Sequence, residues 1–138
     1  MLFKMHDEKP SLGLEFAHGE AIIREGEPGD CLYVILEGRA EVVVDDGSET
    51  PYVMAILERD SYFGEMSMFT DHPRVATVRA LGPVRVMSVD KRGFLRWMGE
   101  DPSFSMRIMI KMAERIRSLI AEVVRLRTTL RTLKESET

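Results

Sequence analysis

The stretch Phe63-Gly64-Glu65-Met66-Ser67-Met68-Phe69-Thr70-Asp71-His72-Pro73-Arg74-Val75-Ala76-Thr77-Val78 holds more residues able to do chemistry than a fold alone requires. A glycine at 64 opens a short helical turn, so the amides around Glu65, Met66 and Ser67 lack intrahelical acceptors and can hold an anion. Arg74, directly after Pro73, carries a planar fork of donors that matches a phosphate. Glu65 is an acceptor beside that anion site, which is useful if the ligand also brings a hydroxyl. The plainer alternative is that Glu65 pairs with Arg74. A phosphate and a hydroxyl on one ligand point to a nucleotide or a sugar phosphate.

Other chemistries find little support. His6, His18 and His72 show neither the His-x-His nor the His-x-x-x-His spacing of a metal site. No Ser/His/Asp or Cys/His constellation can be assembled, so no enzyme and no metal are expected. The single cysteine, Cys31, stands in the apolar run Cys31-Leu32-Tyr33-Val34-Ile35-Leu36 and reads as a buried structural thiol.

The elements that must position this site change character along the chain. From Ala21 to Val89, β-rich runs alternate with turn signals: Ala21-Ile23, Cys31-Leu36, Ala40-Val44, Tyr52-Leu57, Val75-Ala80 and Val84-Val89. Gly26-Glu27-Pro28-Gly29-Asp30, Gly38, Asp46-Gly47 and Gly82-Pro83 are read as turns, with Asp46-Gly47 as a tight hairpin. Turns about 8 to 12 residues apart are the signature of a β-sandwich or jelly-roll barrel. Ala76, Val78 and Ala80 alternate with Thr77 and Arg79, so one face of that strand is solvated.

After Asp90 the period becomes helical. Phe94, Leu95, Trp97 and Met98 suit a short helix, and Asp101-Pro102 offers an N-cap followed by proline at the first helical position. No glycine or proline interrupts the chain from there to about Lys134, which predicts a helix of roughly 30 residues and some 45 Å. Met109, Met112, Ile116, Leu119, Val123, Leu126, Leu130 and Leu133 alternate spacings of three and four, an unbroken heptad seam. β-branched residues at central a positions with leucine at d favour a parallel two-stranded coil, hence a homodimer. The alternative is that the seam packs on the chain's own barrel. A second stripe of Met106, Ile110, Ala113, Ile120 and Val124 lies beside it.

Of the 138 residues, 44% are hydrophobic and 30% charged, a globular composition of single-domain size. No apolar run approaches bilayer length, and Met1 to Pro10 lacks the pattern of a signal peptide, so a cytoplasmic location and no membrane partner are expected. Residues 1–90 hold 8 basic and 17 acidic side chains (−9), and residues 91–138 hold 11 and 6 (+5). Arg107, Arg115, Arg117, Arg125, Arg127 and Arg131 are scattered around the long helix, so no direct nucleic-acid binding is expected.

Phe63, Gly64, Glu65, Met66, Met68, Phe69, Pro73, Arg74, Ala76, Thr77 and Val78 closely resemble the phosphate-binding cassette of the cyclic nucleotide-binding domain family. The upstream run from Gly19 to Gly38 is similar to that family's first strands and turns, and the resemblance spans about residues 15–125. It implies a mainly β fold with C-terminal helices: a cupin-like jelly-roll β-barrel over about residues 15–90 and helices over about 91–134, forming one domain. The barrel would bury cyclic AMP or cyclic GMP, with no further cofactor, and the long helix would dimerise and close over the base. Carried over by position, Glu65 accepts the ribose 2′-hydroxyl with the Gly64 amide assisting. Arg74 pairs with the cyclic phosphate, and the Ser67 and Val75 amides donate to its oxygens. Ile120 and Val124 are assigned to the base by helix phase. Ser67 replaces the usual alanine. Val75 replaces alanine, serine or threonine and offers no hydroxyl to a guanine amino group, which predicts cyclic AMP over cyclic GMP. Catabolite activator-like members place a helix-turn-helix domain after such a helix; residues up to Thr138 hold none, and the first reading is a sensor without that domain, with the regulatory fragment of a larger transcription regulator or a ligand-free dimerisation module as the alternatives.

Overall fold

The computed structural model describes residues 13–137; the reading of Met1 to Pro10 lies outside them. Nine elements follow in order: β1 Leu14–Phe16, β2 Ala21–Ile23, β3 Cys31–Val44, β4 Tyr52–Leu57, β5 Tyr62–Phe63, α1 Glu65–Thr70, β6 Thr77–Asp90, α2 Lys91–Glu100 and α3 Pro102–Ser136. All strand pairings are antiparallel, in the order β1-β6-β3-β4, with β2 on β6 and β5 on β3. The mainly β architecture with C-terminal helices is the one the sequence anticipates. The described residues divide into two compact units that part between Trp97 and Met98.

The sheet is built on two 14-residue strands, β3 and β6, paired from Cys31 opposite Asp90 to Val43 opposite Thr77. Each was expected as two shorter strands. Gly38 and Gly82 were read as breaks, but both adopt positive φ, 89° and 75°, and the β3–β6 register shifts on either side of Glu37. Bulges of this kind bend a strand and increase its twist without ending it, so the two long strands can wrap the core. The core holds Ile35, Ala40, Val78, Ala80 and Val86, all essentially inaccessible to solvent. Thr77 and Arg79 lie outside it and half-exposed, the alternation expected for this strand.

The β3–β4 connection also departs from expectation. Val44 pairs with Tyr52, so residues 45–51 form a longer loop instead of a tight hairpin. Asp45 accepts from the Gly47 amide at 2.9 Å and Asp46 from the Ser48 amide at 3.0 Å, side-chain turns that compete with a two-residue hairpin.

α3 starts where the sequence places it. Asp101 accepts from the Ser103 amide and hydroxyl, and Pro102 opens the helix, satisfying donors the helix leaves open. Its 35 residues extend about 52 Å. Phe104 and Ile108 are buried, whereas Met109, Ile116, Leu119, Val123, Leu126, Leu130 and Leu133 of the seam are 46–65% exposed. No described helix is long and apolar enough to cross a membrane.

Candidate functional site

The segment that precedes β6 folds as a glycine-capped turn. Gly64 caps α1 in the left-handed region, φ 86°, which an L side chain rarely adopts. Glu65 and Ser67 then lie buried, 5% and 2% exposed, while Met66 faces outward. The Ser67 carbonyl accepts from the Asp71 amide at 2.9 Å and closes the turn. Met68 is fully buried, and Phe69 meets Phe94 of α2 edge to face at 5.2 Å, so apolar packing fixes the turn from behind.

Arg74 reaches this turn from its far side. The backbone around it is pinned to the turn after β2: the Arg74 amide donates to Glu27 O at 2.9 Å, and the Gly26 amide to Arg74 O at 2.8 Å. One step on, the Thr77 hydroxyl accepts from the Glu25 amide at 2.9 Å. The Arg74 side chain is only 6% exposed. Its Nη1 donates to Gly64 O at 2.8 Å and its Nη2 to Cys31 Sγ at 3.9 Å. Among the described residues no carboxylate pairs with it, so the alternative Glu65–Arg74 ion pair is not what forms. A buried guanidinium whose hydrogen-bond acceptors are neutral can take an anion as a further partner.

Two side chains of β3 complete the surroundings. The Tyr33 ring stacks on Phe63 at 5.4 Å, and the Arg74 guanidinium lies 6.0 Å from the Tyr33 centroid, within cation–π range. Burial pushes the Tyr33 phenol up to about 12, and its hydrogen bond to Cys31 acts in the same direction. Cys31 is half-buried and contacts the arginine, so it is not the sequestered structural thiol of the sequence reading. Nothing in its own apolar run signals this; the contact comes from a residue 43 positions away.

Gly64, Glu65, Ser67 and Arg74 are therefore brought together. Val75 follows with its side chain 55% exposed. Ile120 and Val124 lie on α3, in the second compact unit, 59% and 58% exposed. No group of three His, Cys, Asp or Glu side chains among the described residues is arranged to hold a metal.

Residues 14–101 match the cyclic nucleotide-binding domain family, and the chain belongs to that family. The cAMP-dependent protein kinase regulatory subunit of Dictyostelium discoideum is 38% identical over 89 residues, covering 62% of this chain and 27% of that protein. The CRP-like cAMP-activated global transcriptional regulator of Mycobacterium tuberculosis is 31% identical over 106 residues, covering 75% of this chain and 46% of the relative. The solved structure of the regulatory domain of Toxoplasma gondii PKA with cAMP has a TM-score of 0.62 at 31% identity, covering 74% of this chain and 38% of that one. The chain spans less than half the length of the curated relatives it matches.

Proposed function

We propose that this chain is a non-catalytic cyclic nucleotide sensor that binds cyclic AMP in preference to cyclic GMP and signals through α3. The observation that carries the reading is the buried Arg74 guanidinium, held by Gly64 O and Cys31 Sγ instead of a carboxylate. In it the cyclic phosphate takes the place of that carboxylate, with the Ser67 and Val75 amides donating to its oxygens. Glu65 and the Gly64 amide hold the ribose 2′-hydroxyl, Met66 contributes backbone, and Ile120 and Val124 cover the base. The barrel and C-terminal helices act as one cytoplasmic module without a further cofactor and without direct contact to nucleic acid. Two copies pair through Met109, Met112, Ile116, Leu119, Val123, Leu126, Leu130 and Leu133, a proposal supported by the exposure of every one of these but Met112, which is half-buried. A second reading, the regulatory segment of a larger transcription regulator, is favoured by the chain's coverage of only 46% of the mycobacterial relative.

Thermal denaturation with and without nucleotide tests both readings. A ligand at 100 times its Kd stabilises the native state by about 2.7 kcal/mol, which raises the midpoint by several degrees in a domain of this size. A midpoint unmoved by saturating cyclic AMP and cyclic GMP would leave only a dimerisation module without a nucleotide ligand.

A further inference from the structure

Gly29 lies in a stretch that reads as an ordinary turn, yet its conformation does not demand glycine. Gly26, three residues earlier, has φ 86°, whereas Gly29 is not among the residues with positive φ. What singles out Gly29 is space. A Cβ built there would overlap Nε and Cζ of Arg74 and lie 2.5 Å from Nη2. These are the atoms of the guanidinium itself, and it has little freedom to yield. Its backbone is tied to Gly26 and Glu27, Nη1 is bonded to Gly64 O, and the whole side chain is buried. On its other sides stand Cys31 and the Tyr33 ring.

We infer that Gly29 is a positioning residue for ligand binding: its missing side chain is the floor on which the Arg74 guanidinium lies, 45 residues away in the chain. The inference rests on the reading of Arg74 as the partner of the cyclic phosphate. Any side chain at position 29 pushes the fork off the Gly64 carbonyl and away from α1, while the turn backbone, which is not strained there, tolerates a Cβ. The consequence is a coupling: the cost of a larger residue at 29 exists only while an arginine occupies 74.

A double-mutant cycle with Gly29→Ala, Arg74→Ala and both together tests this, reading cyclic AMP affinity by calorimetry and the ligand-free thermal midpoint by circular dichroism. Gly29→Ala alone is expected to weaken cyclic AMP by about tenfold or more. Added to Arg74→Ala, it is expected to change the residual affinity by less than about twofold and to leave the midpoint where Arg74→Ala sets it, because contacting residues are non-additive. Equal losses in both backgrounds would mean a backbone role for Gly29 and overturn the inference, as would wild-type affinity in Gly29→Ala. If Gly29→Ala alone does not fold, recovery of the fold in the double variant supports the inference and continued failure overturns it. A wild type that binds no cyclic nucleotide would defeat the function proposed above, and the midpoints of the same four proteins would still decide the role of Gly29.

Discussion

Arg74 Nη1 donates to the Gly64 carbonyl at 2.8 Å, so the buried cation is tied to the left-handed cap of α1. Because the guanidinium finds no carboxylate among the described residues, replacing it should remove the principal attraction for a phosphate. Truncating one partner of a buried charged pair costs about 2 to 5 kcal/mol, so Arg74→Ala should weaken cyclic AMP by at least roughly thirtyfold. Glu65→Gln should lose less, since its amide oxygen still accepts from a hydroxyl. Calorimetric titration giving wild-type affinity in Arg74→Ala would remove Arg74 from the site.

The parts of the site that were legible in the sequence are those that are contiguous. Gly64, Glu65, Ser67 and Arg74 lie within one cassette of eleven residues, where local chemistry suffices to group them. Gly29, Cys31 and Tyr33 were not legible, because each meets the Arg74 side chain only once the segment before β6 is pinned to the turn after β2. The same division runs through the fold. β2, β4 and the start of α3 follow from short-range pattern and capping, and their observed limits match. Gly38 and Gly82-Pro83 misled because turn chemistry and bulge chemistry use the same residues; only the pairing partner decides which one forms. β1 and β5, three and two residues long, are too short to carry a period and are strands only because β6 and β3 offer them an edge.

Tyr33 makes a prediction about pH. Its phenol is pushed from 10.0 up to about 12, by burial first and then by Cys31, with Arg74 pulling the other way. The folded state thus holds this proton more tightly than the unfolded chain does. The resulting stability is fully present below about pH 10 and is lost as pH rises from about 10 towards 12, where unfolding releases the proton. Urea midpoints measured across that window should fall more steeply for the wild type than for Tyr33→Phe, which has no phenol to ionise. Parallel curves for the two proteins would contradict the assignment.

The long helix predicts an oligomeric state. Leu119 and Leu126 occupy successive d positions and are exposed on α3, where a parallel partner would cover them. Leu119→Glu with Leu126→Glu would bury like charges against one another across the seam, which opposes pairing. Sedimentation should give a dimer for the wild type at micromolar concentration and a monomer for the double variant. A monomeric wild type would refute pairing through α3.

The proposed preference for cyclic AMP turns on Val75, which directly follows the cassette arginine and is 55% exposed. In members of the family that carry threonine or serine there, the hydroxyl can accept from the guanine amino group; valine presents methyl groups. A guanine amino group left without an acceptor costs about 1 to 3 kcal/mol, whereas adenine has no donor at that place and asks nothing of the side chain. Val75→Thr keeps the β-branched shape, and at an exposed position its hydroxyl is hydrated when no ligand is bound, so the fold should be unaffected. The substitution should therefore strengthen cyclic GMP by at least about fivefold, the lower end of that cost, and leave cyclic AMP nearly unchanged. Competition binding of the two nucleotides to wild type and variant reads both effects at once. A wild type that already prefers cyclic GMP, or a variant that gains for both nucleotides alike, would place base selection elsewhere than Val75.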